Sequence, residues 1–200
     1  MAEDRKPYHH GDLRAALLRA GEEVLAESGV EAFSLRRVAK RVGVSHSAPA
    51  HHFGDAAGLL SALAAEGFRR FLGSMRARQA DAGGAPIDLL VASGLGYIDF
   101  ARSRPALFRL MFASERPKEE TPELAEASEA AFRHLVEDVA RLRGRSPFSD
   151  PASMADVVAA WSMAHGLAEL SISGRLKPLQ SMAEEEREAF LRGMMARALG

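Results

Sequence analysis

Two groups of residues have the types and spacing to do chemistry. The first is the run 34–53, SLRRVAKRVGVSHSAPAHHF. Arg36, Arg37, Lys40 and Arg41 set four cations within six positions, a pattern suited to phosphates, and Ser45, His46, Ser47, Ala48 and His51 follow a glycine turn. Serine and histidine at the start of a short helix can meet phosphates and the donor and acceptor edges of bases. The second group is aromatic and sulfur-rich: Tyr97, Phe100, Phe108, Met111, Phe112, Trp161 and His165. Singly these are core residues, but as a set they have the make-up of a small-molecule site, an apolar lining with a few polar points. Trp161 and His165 stand four apart and share one helix face, which Glu169 continues.

Other chemistries find no support. His51 and His52 are adjacent, so on a helix they point about 100° apart and do not converge on one metal ion. His165 with Glu169 would permit a hydrolytic reading, but no serine elbow or glycine-rich phosphate loop accompanies them. With no cysteine in the chain, thiolate catalysis, thiolate metal sites and disulfides are excluded. The expectation is a protein without catalytic residues, metal or cofactor.

The elements that must position these groups are helices. Ala, Leu, Arg and Glu dominate the 200 residues, and alternating β-branched runs are absent. Asp12 is placed to cap a first helix whose apolar face is Leu13, Leu17, Ala20 and Val24, with Gly29 ending it. Ser34 caps a second helix through about Arg41, and Gly43 turns the chain. Ser45 caps a third helix to about Phe53, with Pro49 close to its start, where the cost of proline is small. A fourth helix runs from 55 to about 79, where 81–86 (DAGGAP) breaks it. Further helices are expected at 87–103, 105–113, 122–143, 152–173 and 183–199, nine in all. The fold class is all-α: an N-terminal three-helix domain over 1–56, a connecting fourth helix, and a helical bundle making up the rest of 57–200.

The short helix, glycine turn and capped second helix form a helix-turn-helix, which presents the N-terminal end of its last helix to the major groove. Residues 9–60 resemble the N-terminal domain of the TetR family of bacterial transcriptional repressors. The resemblance rests on Phe33 before the Ser34 cap, Ala39 at a close helix crossing, Gly43-Val44-Ser45 at the turn, His52-Phe53-Gly54-Asp55, and Leu59-Leu60. More weakly, Trp161, His165-Gly166-Leu167 and the run 97–112 look like a subgroup with a Trp-His-Gly signature in its regulatory domain. Two positions depart from the family pattern: Ala50 stands where Tyr is common, and Ala56 where a phosphate-binding Lys is common.

The resemblance implies a homodimeric repressor on a pseudo-palindromic double-stranded DNA operator, released when a small effector moves the fourth helix. The DNA-contacting set is then Ser34, Arg36, Arg37, Ser45, His46, Ser47, Ala48, His51 and His52, with His52 nearer the domain core. The apolar character of the second group implies a mostly hydrophobic effector. The helix at 152–173 carries Val157, Val158, Trp161, Ala164, Leu167 and Ala168, more than one neighbour can cover, and 183–199 carries the stripe Phe190, Leu191, Met194, Met195 and Ala198; together they are the expected dimer interface. Charge does not decide the matter. The chain is formally −1, and residues 1–55 hold eight Lys/Arg against eight Asp/Glu, so DNA affinity depends on local clustering, to which Arg5 and Lys6 add. A helical sensor without DNA binding is the alternative. No run approaches the ~20 apolar residues of a membrane span, and residues 1–10 lack the apolar core of a signal peptide. A cytoplasmic location is expected.

Overall fold

The computed structural model describes residues 10–117 and 121–200, with side chains from residue 13 onward; Arg5, Lys6 and His9 lie outside the described residues. Ten helices and no strand occur among them: α1 His10–Ser28, α2 Leu35–Val42, α3 Ala48–Phe53, α4 Ala56–Ala80, α5 Pro86–Ser103, α6 Pro105–Ala113, α7 Pro122–Arg143, α8 Pro151–Ile172, α9 Lys177–Gln180 and α10 Glu184–Leu199.

The punctuation behaves largely as the residue types dictate. The Ser34 hydroxyl accepts the Arg37 N–H at 3.4 Å, and Gly43 closes α2 at φ 77°. This left-handed geometry is nearly free for glycine and costly for other residues. The Asp55 carboxylate accepts the Gly58 N–H at 2.7 Å and starts α4.

Three expectations need correction. The first helix begins at His10, so Asp12 lies inside it and is not its cap. Ser45 does not cap the third helix: α3 begins at Ala48, and Ser47 stands at the cap position in a helical conformation (φ −82°, ψ −20°) without a side-chain cap bond. The Ser45 and Ser47 hydroxyls bond each other instead, at 3.1 Å. The delay has a physical reason. Proline contributes no N–H, and Pro49 at the second helical position is tolerated only in a helix's first turn, which ties the start of α3 to Ala48. The tenth helix, α9, is the third difference. Its four residues, KPLQ, fall in a stretch whose Gly174 and Pro178 read as loop.

Helices α1–α3 pack around Leu17, Val24, Leu25, Phe33 and Val38, and Leu59, Leu60 and Leu63 of α4 complete this small core. The same apolar cluster continues without a break along α4, through Phe68, Phe71 and Met75, to Tyr97, Phe100 and Phe108. In the bundle α4 packs chiefly against α5 and α7, and α5 against α8 and α10. Two side-chain networks fix this arrangement. Arg78 of α4 pairs with Asp99 of α5 at 2.6 Å and Glu188 of α10 at 2.9 Å. Beside it, Gln79 donates to the buried Asp138 carboxylate of α7 at 2.8 Å and to the Leu89 carbonyl of α5 at 3.1 Å.

Gly96 marks the closest approach of α5 to α4. A Cβ there would sit 2.6 Å from the Ser74 carbonyl oxygen and 2.7 Å from the Met75 Cα. Backbone cannot give way as a side-chain tip can, so Gly96→Ala is expected to cost about 1–3 kcal/mol of stability. Gly73, in the same region of α4, faces open space. Gly73→Ala is expected to be neutral or to add up to about 1 kcal/mol, from helix propensity alone. Urea denaturation of the two variants checks the contrast; equal losses would contradict the packing described.

His134 and Asp138 lie one turn apart on α7, almost fully buried, with Nε2 and Oδ2 3.6 Å apart. Burial pushes the His134 imidazole below its usual value, aided by Arg76 and Arg141 and opposed by the attraction of Asp138 and Glu137. Burial pushes the Asp138 carboxyl up, opposed by His134 and Arg141 and by hydrogen bonds from Gln79 and Ser93. The unfolded chain therefore binds a proton at His134 that the folded chain refuses, so stability falls as pH drops below about 6.5. Asp138 acts in the opposite sense, nearer the carboxylate range, where the folded chain takes up the proton first. His134→Leu is expected to lose less stability than the parent between pH 7 and 5.5. Parallel pH profiles in chemical denaturation would contradict this.

Candidate DNA-reading head and effector cavity

The helix-turn-helix presents its polar residues outward because its apolar ones are consumed inside. Val38 and Ala39 of α2 are fully buried, and Pro49 of α3 is buried as well. Ser45, His46, Ser47, Ala50 and His51 are exposed around the turn and α3, while Ser34, Ala48 and His52 are half-buried. The His52 ring lies 6.2 Å from that of Phe53, and Arg14 of α1 stands 5.3 Å above the Phe53 ring, holding the end of α3 to α1.

The α2 cations divide into two kinds. Arg41 is held by Glu23 at 3.1 Å and Glu27 at 2.7 Å, and Arg37 by Glu27 at 3.5 Å. Arg36 and Lys40 are exposed and make no ion pair among the described residues. Arg36 and Lys40 can therefore meet a phosphate without first breaking an internal pair, whereas Arg37 and Arg41 brace α2 against α1. Spacing alone could not distinguish them, because the partners come from another helix.

Three arginines from beyond the head hold it in place. Arg70 of α4 meets Glu22 of α1 at 2.7 Å, and Arg104, at the start of α6, meets the same carboxylate at 3.4 Å. Arg116, just past the end of α6, donates to the Val30 carbonyl at 2.6 Å and the Glu31 carbonyl at 3.0 Å. Helix α6 is thus pinned to the head at both ends.

Between α4, α5, α7 and α8 lies a cavity of about 370 Å³, within the size range of small-molecule sites. Of the seven residues expected to form a ligand site, Tyr97, Phe112 and Trp161 line it. Phe100, Phe108, Met111 and His165 do not; they stand behind the wall and support it. His165 Nδ1 is 2.7 Å from the Tyr97 hydroxyl, and its ring rests against Phe108 and Phe112 at 5.5 and 5.4 Å. Glu169 does not orient this imidazole by a direct bond; Tyr97 does. Phe71 lies at the centre of the aromatic block, edge-on to Tyr97, Phe100 and Phe112 at 4.6–5.7 Å. Burial raises the Tyr97 phenol above its usual value, so it keeps its hydrogen.

Several wall residues escaped the sequence reading. Ser128, Glu129, Phe132 and Leu135 of α7 line the cavity, and their spacing of one, three and three is a helical face that periodicity could have found. Ser93 joins Tyr97 as a hydroxyl-bearing wall residue of α5; its signal was one serine within the otherwise apolar run 89–96. Phe132 and Trp161 meet at 5.8 Å, remain 36% and 41% exposed, and mark the mouth. Among the described residues no group of three or more His, Cys, Asp or Glu is gathered for a metal ion, and no helix is long and apolar enough to cross a membrane.

Comparison with known proteins agrees with both halves. Residues 17–63 match the family described as bacterial regulatory proteins, tetR family, and residues 90–198 match the tetracyclin repressor-like C-terminal domain. The HTH-type transcriptional regulator BetI of Stenotrophomonas maltophilia is 29% identical over 126 residues, 63% of this chain and 64% of its own length. The matched stretch thus spans a little under two thirds of that relative. Among solved structures, a protein with unknown function from Rhodococcus sp. RHA1 superposes with a TM-score of 0.79 at 29% identity, covering 98% of this chain and 99% of that one. A TetR family transcription regulator from Marinobacter aquaeolei VT8 shares the fold, with a TM-score of 0.67 at 20% identity over 92% of this chain and 94% of its own. With its helix-turn-helix head and its cavity-bearing bundle each matched, the chain belongs to the TetR family of bacterial regulatory proteins, ligand-responsive DNA-binding regulators of transcription.

Proposed function

We propose that this regulator is a repressor that binds a pseudo-palindromic operator as a homodimer and is released when a small, mostly hydrophobic effector fills the cavity. One observation carries the reading: the exposed turn and α3 at one end of the molecule and the apolar cavity at the other are joined by a single helix, α4. The base-reading set is Ser45, His46, Ser47, Ala48 and His51, with Arg36 on phosphate or a base edge. Ser34 acts as the cap of α2, Arg37 as its brace to α1, and His52 as packing beneath α3. The domain boundary falls at 56, where α4 begins. No catalytic residue, cofactor or metal enters this account.

Homodimerisation uses α8 and α10. Helix α8 holds only two acidic residues and no lysine or arginine in 22 positions, yet Val158, Trp161 and Leu170 are exposed along it. Phe190 of α10 is 46% exposed. A helix apolar on all sides is normally covered on all sides. Gly166 has open space beyond it and Gly193 nearly so, which allows close approach of a second copy. Val157, Ala164 and Ala168 of α8 and Leu191 and Met195 of α10, expected at that interface, are instead buried in the chain's own core.

Ala50 and Ala56 favour the alternative, a sensor that no longer binds DNA, and a salt series separates the two. Binding to duplexes selected from a random pool, or to the DNA upstream of the coding region, should weaken linearly in log–log with salt. Arg36→Ala is expected to reduce affinity about tenfold or more, and His46→Ala to relax sequence preference. Absence of any salt-dependent duplex binding would contradict the repressor reading.

A further inference from the structure

The cavity wall carries one carboxylate and no cationic side chain. Five wall residues carry a polar side-chain atom: Ser93, Tyr97, Ser128, Glu129 and Trp161. Their hydrogens can be followed one by one. The Ser128 hydroxyl donates to the Ala125 carbonyl at 3.0 Å. Ser93 stands beside the buried Asp138 carboxylate, which has no hydrogen of its own to give when ionised. The Trp161 indole stands near the Tyr97 hydroxyl. The Tyr97 hydroxyl and His165 Nδ1 share a hydrogen bond of 2.7 Å. Glu129 has no hydrogen; one of its oxygens pairs with Arg133, which is exposed and not part of the wall.

The backbone adds no donor. Every wall residue lies beyond the first turn of its helix, where N–H groups are committed to carbonyls four residues back. No lysine, arginine, asparagine or glutamine lines the cavity. The remaining surface is aromatic and aliphatic, with Phe68, Phe71, Phe112 and Phe132 presenting ring faces and edges.

We infer that the cavity takes an apolar, aromatic-sized molecule carrying a hydrogen-bond donor, a protonated amine or a hydroxyl, and rejects a carboxylate or phosphate of the same size. A donor head finds the free lone pairs of Ser93 in the depth of the cavity, or of Ser128 and Glu129 near its mouth. An anionic head finds no cation and, at Glu129, a like charge, so on entry it loses its water without a charged partner to replace it. The aromatic lining also favours a cationic head over an anionic one. This inference rests on the ligand-responsive reading above and names the chemistry of that same site.

Three probes with one hydrocarbon body test it: 2-(1-naphthyl)ethylamine, 2-(1-naphthyl)ethanol and 1-naphthylacetate. Binding to the full-length protein is measured by titration calorimetry, with the single tryptophan, Trp161, as a fluorescent reporter at the mouth. The amine and the alcohol are expected to bind at least tenfold more tightly than the carboxylate. Ser93→Ala is expected to shrink that preference several-fold, as is Glu129→Gln for the amine, while thermal denaturation shows both variants folded. A carboxylate that binds as well as or better than the other two would overturn the donor rule and leave the cavity a ligand site. If none of the three gives heat or changes Trp161 emission, the cavity is not an effector site, and both readings fall together.

Discussion

Everything in this molecule depends on α4 being one continuous helix with two cores attached to it. Over its 25 residues it spans about 37 Å. Its first third supplies Leu59, Leu60 and Leu63 to the head, and its later part supplies Phe68, Phe71 and Met75 to the cavity wall. No flexible linker separates the parts, and the apolar cluster runs unbroken from one to the other. A ligand that pushes on Phe71 therefore pushes on the element that carries the head. Close-packed interiors do not absorb such a displacement smoothly; they shift between discrete arrangements.

Helix α6 gives the cavity a second hold on the head. Phe112 lines the cavity, while Arg104 and Arg116 at the two ends of α6 grip Glu22 and the carbonyls of Val30 and Glu31. Such partly exposed pairs add little stability. Their consequence is geometric: they fix where the head sits relative to α6. Occupation of the cavity matters only so far as the ligand binds the DNA-competent and DNA-incompetent arrangements with different affinity. With Phe71 on α4 and Phe112 on α6 in edge contact, 5.7 Å apart, one ligand can bias both routes.

Much of this was legible in the sequence. Ser34, Gly43 and Asp55 act locally, each through its own backbone geometry or one hydrogen bond to a residue close by, so their types and positions announced the head. Where several local signals competed, the reading slipped: Ser45 and Ser47 both suit a cap, and the position of Pro49 decided against the first. The cavity was legible only as a composition. Tyr97, Phe112 and Trp161 reach it, but which aromatic residues face the space and which stand behind depends on how four helices cross. Phe100 and Phe108 have the right type and the wrong side. Ser93 and Gln79 matter through Asp138, a residue 45 or more positions away, and no local pattern carries such a pairing. The division of the α2 cations into braced and available ones has the same origin, since Glu23 and Glu27 sit on another helix.

The absence of cysteine permits a direct test of the central claim, that filling the cavity moves the heads. Arg19 is exposed on α1 and does not line the cavity, so Arg19→Cys accepts a single spin label per subunit. Pulsed electron resonance then measures the label-to-label distance in the proposed homodimer, first free, then on operator DNA, then with 2-(1-naphthyl)ethylamine at saturation. The account predicts a narrow distribution on DNA, matching heads seated in successive major grooves about 34 Å apart, and a shifted distribution when the cavity is filled. An unchanged distribution at proven saturation would contradict it.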